Sequence, residues 1–276
     1  MRRMAGHPRT RAWLPSLQYQ SDSLMNRSVN DSSRIALVTG GLGGIGRAIC
    51  RQLAAAGAHV IAADLPADAA RLDAFTAGMD GLPVETRALD VGDAQVCAAA
   101  VADIQARHGR LDILVNAAGI TRDATLRKMS AEQWDDVLRV NLDSAFHLCR
   151  AAVDGMVARG FGRIVNISSV SGQTGNFGQA NYAAAKAGLH GLTMSLAREV
   201  AAKGVTVNSI SPGYVETPMT AAMPPEVLAR TVASVPVGRV GQPDDIARAV
   251  VFLTADDAGY ITGINLPVNG GLLMGF

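Results

Sequence analysis

Seven apolar runs rich in β-branched residues are spaced along the chain, and helical patterns fill the gaps between them. The runs are RIALVT (34–39), HVIAA (59–63), VETRAL (84–89), LDILVN (111–116), RIVNIS (163–168), VTVNSI (205–210) and INLPV (264–268). Strands separated by helices pair in parallel through crossovers, and strands that are apolar along their length are covered on both faces. The expected fold is α/β: one doubly wound parallel sheet of about seven strands with helices on both faces. No linker or internal repeat interrupts residues 34–276, which read as a single domain. Proline-rich residues 211–245 break the rhythm after the sixth run and are expected to form a substrate lid.

Composition narrows the function. At 49% hydrophobic and 18% charged, the chain can build a sizeable core, and its net charge of +1 with no basic stripe argues against nucleic acid as the main partner. No apolar run reaches the roughly 18–20 residues of a membrane span. Cys50, Cys97 and Cys149 are far apart and read as buried hydrophobes of a reducing, cytoplasmic protein. The five histidines show no HExxH or paired spacing, so no metal is expected. Residues 1–33 hold five Arg against two acids. They read as a disordered extension, or as sequence upstream of a true start near Met25.

VTGGLGGIGRAIC (38–50) joins the first run to a helix, with Gly40, Gly44 and Gly46 in the pattern T-G-x-x-x-G-x-G. A tight turn that brings backbone and a helix N-terminus against an anion suits the pyrophosphate of a dinucleotide, which makes the sheet a Rossmann fold. Asp64 ends the second run, where a carboxylate can hold both adenosine ribose hydroxyls and repel a 2′-phosphate. Position 43 is Gly and offers no arginine to that phosphate, so NAD(H) is favoured and NADP(H) is possible. Asp90 and Val91 end the third run, where an Asp can meet the adenine amino group. Asn116 ends the fourth and can brace neighbouring strand ends.

Tyr182 and Lys186 are four residues apart in an Ala-rich helix and so share a face. A nearby ammonium favours phenolate and is expected to lower the phenol pKa. Ser169, at the mouth of the fifth run, can hydrogen-bond the same carbonyl oxygen as the phenol. It lacks an obvious His–Asp partner and a G-x-S-x-G elbow, which argues against a nucleophilic serine. Asn141 stands mid-helix, where Asn needs a reason; a kink or cap supplies one, and anchoring a relay water beside Lys186 supplies another. The chemistry this suits is carbonyl reduction, with Tyr182 as proton donor and Ser169 as oxygen stabiliser. A nucleotide-sensing module without catalysis would be expected to lack the Tyr or the Lys.

Together, T-G-x-x-x-G-x-G at 39–46, N-A-A-G at 116–119, Asn141, Ser169 and Tyr-x-x-x-Lys at 182–186 resemble the short-chain dehydrogenase/reductases over about residues 34–276. The resemblance implies a cofactor cradle of Gly40, Leu42, Gly44, Ile45, Gly46, Asp64, Asp90, Val91, Asn116, Ala117, Gly119, Tyr182, Lys186, Pro212, Gly213, Val215 and Thr217. Within the family, GITRDATLRKMS (119–130) and the stretch 162–194 are similar to reductases of 3-oxoacyl thioesters, carried on CoA in polyhydroxybutyrate synthesis or on acyl carrier protein in fatty-acid synthesis. That similarity implies a substrate site of Asp123, Lys128, Ser169, Phe177, Gln179, Tyr182 and Tyr214. It also implies acetoacetyl-CoA as substrate, an (R)-3-hydroxyacyl product and a homotetramer. Three residues depart from the pattern: Ala117 where Asn is common, Asn176 where Gln is common, and Asp64 where many such reductases prefer NADPH.

Overall fold

Parallel pairing runs unbroken across the sheet in the order β3-β2-β1-β4-β5-β6-β7. A computed structural model describes residues 33–216 and 225–274. The strands are β1 (Ile35–Thr39), β2 (His59–Asp64), β3 (Val84–Ala88), β4 (Ile113–Asn116), β5 (Gly162–Ile167), β6 (Val205–Pro212) and β7 (Asn265–Val268). Helices α1 (Gly44–Ala55), α2 (Ala69–Ala77), α3 (Ala94–His108), α4 (Ala131–Leu138) and α5 (Ser144–Arg159) occupy the first half. A short α6 (Ser171–Thr174), a long α7 (Ala180–Val200), α8 (Pro225–Ser234) and α9 (Pro243–Thr254) complete the set.

Alternation along each inner strand divides the core in two. On β1, Ala36 and Val38 pack with Ile49 and Leu53 of α1 and Val250 of α9, while Ile35 and Leu37 pack with Ile104 of α3 and Leu148 of α5. Side chains two apart on a strand share a face, so an inner strand must be apolar at every position to serve both layers. β1, β4, β5 and β6 are buried throughout. The edge strands β3 and β7 depart from that expectation: VETRA and NLPV are half-exposed, because an edge has only one neighbour to cover it.

Two boundaries move by two residues, and the others by one at most. β4 starts at Ile113 because Asp112 turns its buried carboxylate to accept from the Ile35 N–H at 3.0 Å and the Arg110 Nε at 2.6 Å. β6 extends two residues further than expected, to Pro212, paired with β7 from Ser209↔Asn265 to Pro212↔Val268.

Polar residues inside the sheet gather towards its C-terminal edge. The Asn116 amide donates to Asn166 Oδ1 at 2.8 Å, and the Asn166 amide donates to Thr193 Oγ1 at 2.9 Å, so β4, β5 and α7 are tied together where the strands end. Such side-chain links hold a site on rigid elements while the ladder above them stops. β1 is flanked by β2 and β4, and the chain changes sides there. The gap left at this reversal is where open α/β sheets take their ligands.

Candidate active site

The turn after β1 is as tight as its glycines require. Gly40 has φ +64°, a left-handed conformation costly for other residues. A Cβ on Gly46 would sit 2.0 Å from the Gly40 carbonyl oxygen, and one on Gly41 2.9 Å from Ala62. The N-cap of α1 is Gly43, with no side-chain cap and no acid in the first turn. The first backbone N–H groups of α1, at Gly44 and Ile45, therefore carry the partial positive charge of the helix with no acid in the first turn to meet it. That is the cradle a pyrophosphate requires.

Asp64 ties this loop to the end of β2. Its Oδ2 accepts from the Leu42 N–H at 3.0 Å, and its Oδ1 accepts from the Leu65 N–H at 2.9 Å. The next helix is capped by Asp68, which accepts from the Arg71 N–H at 2.8 Å. A cavity of about 150 Å³, lined by Leu42, Asp64, Leu65, Pro66, Leu72 and Ala88 among others, opens where β2 and β3 end. Arg47 turns away, donating to Ala74 O at 2.8 Å. Sequence reasoning missed Arg71, whose Nη2 lies 3.6 Å from Asp64 Oδ2. Its signal was its place on the first turn of the next helix. Asp90 Oδ1 accepts from the Gly92 N–H at 2.9 Å, a local turn, and Val91 beside it is buried.

Behind the loop, Thr39 Oγ1 accepts from the N–H groups of Ala117 and Ala118, both at 3.1 Å, which pins the turn after β4. A Cβ on Gly119 would meet Asn141 Oδ1 at 2.7 Å and Lys186 Nζ at 3.5 Å, so these two polar atoms converge on one small space. Asn141 is not in α-helix. It sits in a π-helical turn, Arg139–Asp143, that joins α4 to α5. Its amide donates to Ile120 O and Val137 O, each at 2.9 Å, while Oδ1 is buried without a partner. An orphaned buried carbonyl oxygen beside an ammonium is a place for a bridging water.

Lys186 is buried, donates to Ile167 O at 2.9 Å and has its Nζ 5.6 Å from the Tyr182 ring centroid. Burial lowers its pKa from 10.5 to about 8. The Tyr182 pKa is raised, and here the sequence expectation is reversed. Burial of the phenol is the largest cause, the hydrogen bond with Ser169 opposes it, and the Asp123 carboxylate adds to the rise. Lys186 points its ammonium at the Ile167 carbonyl, and burial dominates the phenol.

The Ser169 hydroxyl, which meets the Tyr182 phenol, also accepts from the Ser171 N–H at 3.1 Å. Asp123 Oδ2 accepts from the Gln179 amide at 3.0 Å, and Gln179 Oε1 accepts from the Asn176 amide at 2.8 Å. Ser169, Asp123, Gln179 and Tyr182 are thus brought together. Phe177 stands 89% exposed beside them, and the Lys128 side chain is also exposed. Pro212 O accepts from the Val170 N–H at 2.9 Å, and the Gly213 N–H donates to Val268 O at 3.1 Å, which fixes the start of the 211–245 segment. Tyr214 and Val215 follow, bridged to Gly241, whose N–H donates to Tyr214 O at 2.8 Å. Thr217 lies outside the described residues.

Asn181 and the Ser168–His190 pair are positioning residues that sequence reasoning overlooked. The fully buried Asn181 amide donates to Arg122 O at 3.1 Å and Gln133 O at 2.9 Å, locking the segment that carries Asp123 to the helix that carries Tyr182. Ser168 Oγ donates to Lys186 O and meets His190 Nε2, both at 2.8 Å. The signal for Asn181 was the one that singled out Asn141: a poor helix former inside a helix.

A family model described as Enoyl-(Acyl carrier protein) reductase matches residues 40–273. The chain belongs to the short-chain dehydrogenase/reductase family. The acetoacetyl-CoA reductase of Allochromatium vinosum is 53% identical over 244 residues, 88% of this chain and 99% of that protein. Its namesake from Rhizobium meliloti is 52% identical over 240 residues, 87% and 98% of the two chains. The 3-oxoacyl-[acyl-carrier-protein] reductase of Escherichia coli is 48% identical over 246 residues, 89% and 100%. Reductases of this family use NAD(P)H, and the loop, the uncapped α1 and Asp64 fit such a dinucleotide.

Two outcomes test this geometry. Gly46→Ala forces a methyl group into a backbone carbonyl, so NADH binding followed by fluorescence is expected to weaken at least about tenfold (1.4 kcal/mol) while far-UV circular dichroism stays unchanged. Lys186 is a cation below pH about 8 and neutral above it, and Tyr182 remains protonated past its usual range. The value of kcat/KM for reduced dinucleotide, which reports the free protein, should be flat at neutral pH and fall above pH about 8. A profile still flat at pH ~10, near the ordinary lysine value, would contradict the assignment of Lys186.

Proposed function

We propose that this protein reduces a 3-oxoacyl thioester with NAD(P)H, converting acetoacetyl-CoA to (R)-3-hydroxybutanoyl-CoA for polyhydroxybutyrate synthesis. The observation that carries the reaction class is the Tyr182 phenol set beside Ser169 at the carboxyl edge of the sheet, one helical turn from a buried ammonium. The choice of substrate rests on the relatives named acetoacetyl-CoA reductase, at 53% and 52% identity.

Bound NAD(P)H supplies hydride to the carbonyl carbon. Tyr182 gives its phenolic proton to the carbonyl oxygen, which becomes the alcohol, and Ser169 Oγ–H hydrogen-bonds that same oxygen as charge develops. Ser169 Oγ accepts from the Ser171 N–H, which holds the hydroxyl in place beside the phenol. Lys186 Nζ would hold the nicotinamide ribose of the bound dinucleotide. With a water on Asn141 Oδ1, it returns a proton to the phenolate. Asp123 and Gln179 border the acyl group, and exposed Phe177 and Leu126 offer apolar surface to the pantetheine arm. Exposed Phe146 on α5, Met194 on α7 and Phe252 on α9 suit faces covered in a homotetramer.

Replacing Tyr182 by Phe removes the donor, so kcat should fall about 10²–10⁴-fold with NADH affinity retained; undiminished turnover would refute the proton-donor role. The same assay, run on acetoacetyl-CoA, longer 3-oxoacyl-CoAs and acetoacetyl-ACP, is expected to give its highest kcat/KM on acetoacetyl-CoA. A higher value on the carrier protein would favour fatty-acid synthesis.

Asp64 favours NADH, since its carboxylate can accept from both ribose hydroxyls and repels a 2′-phosphate. Arg71, 3.6 Å from that carboxylate, favours a second reading in which NADPH is also accepted with its phosphate on the guanidinium. Under the first reading Asp64→Ala raises kcat/KM for NADPH relative to NADH by about tenfold (1.4 kcal/mol) and Arg71→Ala changes neither. Selective loss of NADPH turnover in Arg71→Ala would establish the second.

A further inference from the structure

At the opposite edge of the sheet, where strands begin, three donor side chains meet that are scattered in the sequence. His59 is the first residue of β2, Glu85 the second of β3 and His108 the last of α3. Parallel register pairs Val60 with Val84 and Ile61 with Glu85, which puts His59 and Glu85 on one face of the sheet. That is the face α3 covers, because Ile61 packs with Ile104 in the same core. The final turn of α3 then delivers His108, before Gly109 ends the helix in a left-handed conformation.

One nitrogen or oxygen from each of the three residues lies within 4.8 Å of the others. Glu85 Oε1 is 3.3 Å from His108 Nε2 and 4.0 Å from His59 Nε2, and the two imidazole centroids are 5.0 Å apart. A tetrahedral ion with bonds of about 2.0–2.1 Å sets its ligand atoms about 3.3–3.4 Å apart. One edge already has that length, and the others close with side-chain shifts below the size of an atom. His59 Nε2 is buried and has no hydrogen-bond partner, so a donor lone pair or N–H is left facing the cluster. The negative end of α3 points the same way.

We propose that His59, Glu85 and His108 form a binding site for a divalent transition-metal ion, Zn²⁺ being the best match to two imidazoles and a carboxylate. The ion would clasp β2, β3 and the end of α3, with solvent in its fourth position, since all three residues are only partly buried. It serves the edge of the fold, not the chemistry, because the catalytic groups sit where the strands end. Arg107 shapes the affinity in two ways. Its Nη2 holds Glu85 Oε2 at 3.2 Å, which aims Oε1 at the histidines, and its charge opposes a dication. Asp103, paired with Arg87 and 3.9 Å from Arg107, completes a set of two carboxylates and two guanidiniums with Glu85, so the immediate surroundings are neutral overall.

The full chain, stripped with chelator and titrated with Zn²⁺ by calorimetry, should take up one ion per chain at micromolar concentration. His59→Gln and His108→Gln should each weaken this uptake more than about 100-fold, beyond the loss typical of an outer-shell partner, and Glu85→Gln should weaken it while preserving size. Should a histidine variant fail to fold, carbonate footprinting of the wild type decides: Zn²⁺ should protect His59 and His108 from diethyl pyrocarbonate and leave His147 and His190 unprotected. No micromolar uptake by the wild type, equal uptake by the variants, or protection confined to other histidines would each overturn the site.

Discussion

A buried ammonium organises the carboxyl edge of the sheet. Lys186 comes in from α7, reaches the last carbonyl of β5 and is held there although burial favours its neutral form. Its surroundings are built around that cost. Gly119 lacks a side chain so that Asn141 and Lys186 can converge, and the π-turn that carries Asn141 moves its amide onto the Val137 carbonyl. Ser168 holds the Lys186 backbone from one side and His190 from the other. A buried charge with so few partners is retained at a functional site more readily than in a core.

The same strands that bury this group explain why the glycine loop, Tyr182 and Ser169 lie together. β1, β4, β5 and β6 end at nearly one level, and their last polar residues hydrogen-bond sideways instead of along the ladder. The glycine loop follows β1, Asn116 ends β4, Ser169 follows β5 and Pro212 ends β6. Residues from distant parts of the chain become neighbours because parallel strands all finish on one side.

How much of this was legible follows from what burial does to sequence. Inner strands must be apolar at every position, so β1, β4, β5 and β6 announced themselves, whereas half-exposed β3 and β7 obeyed that rule loosely. The glycines after β1 were readable because a Cβ there meets backbone, and no other residue fits. Tyr182 and Lys186 were readable as a pair but not in their balance: spacing gives proximity and says nothing about which group is more deeply desolvated. The π-turn at Asn141 was hidden for a related reason, since one wider turn leaves the apolar period almost intact. Arg71 and the His59–Glu85–His108 cluster depend on register and on where α2 and α3 start and stop, which a linear pattern does not carry.

The three thiols have a consequence for life under oxidative stress. Cys50, Cys97 and Cys149 are free and almost wholly enclosed, with pKa values pushed up to about 12, 11 and 12 mainly by burial. Peroxides and alkylating agents attack thiolate that they can reach, and here they find neither the anion nor the access. The three sulfurs are thereby kept from the thiolate chemistry on which enzymes built on reactive sulfur depend.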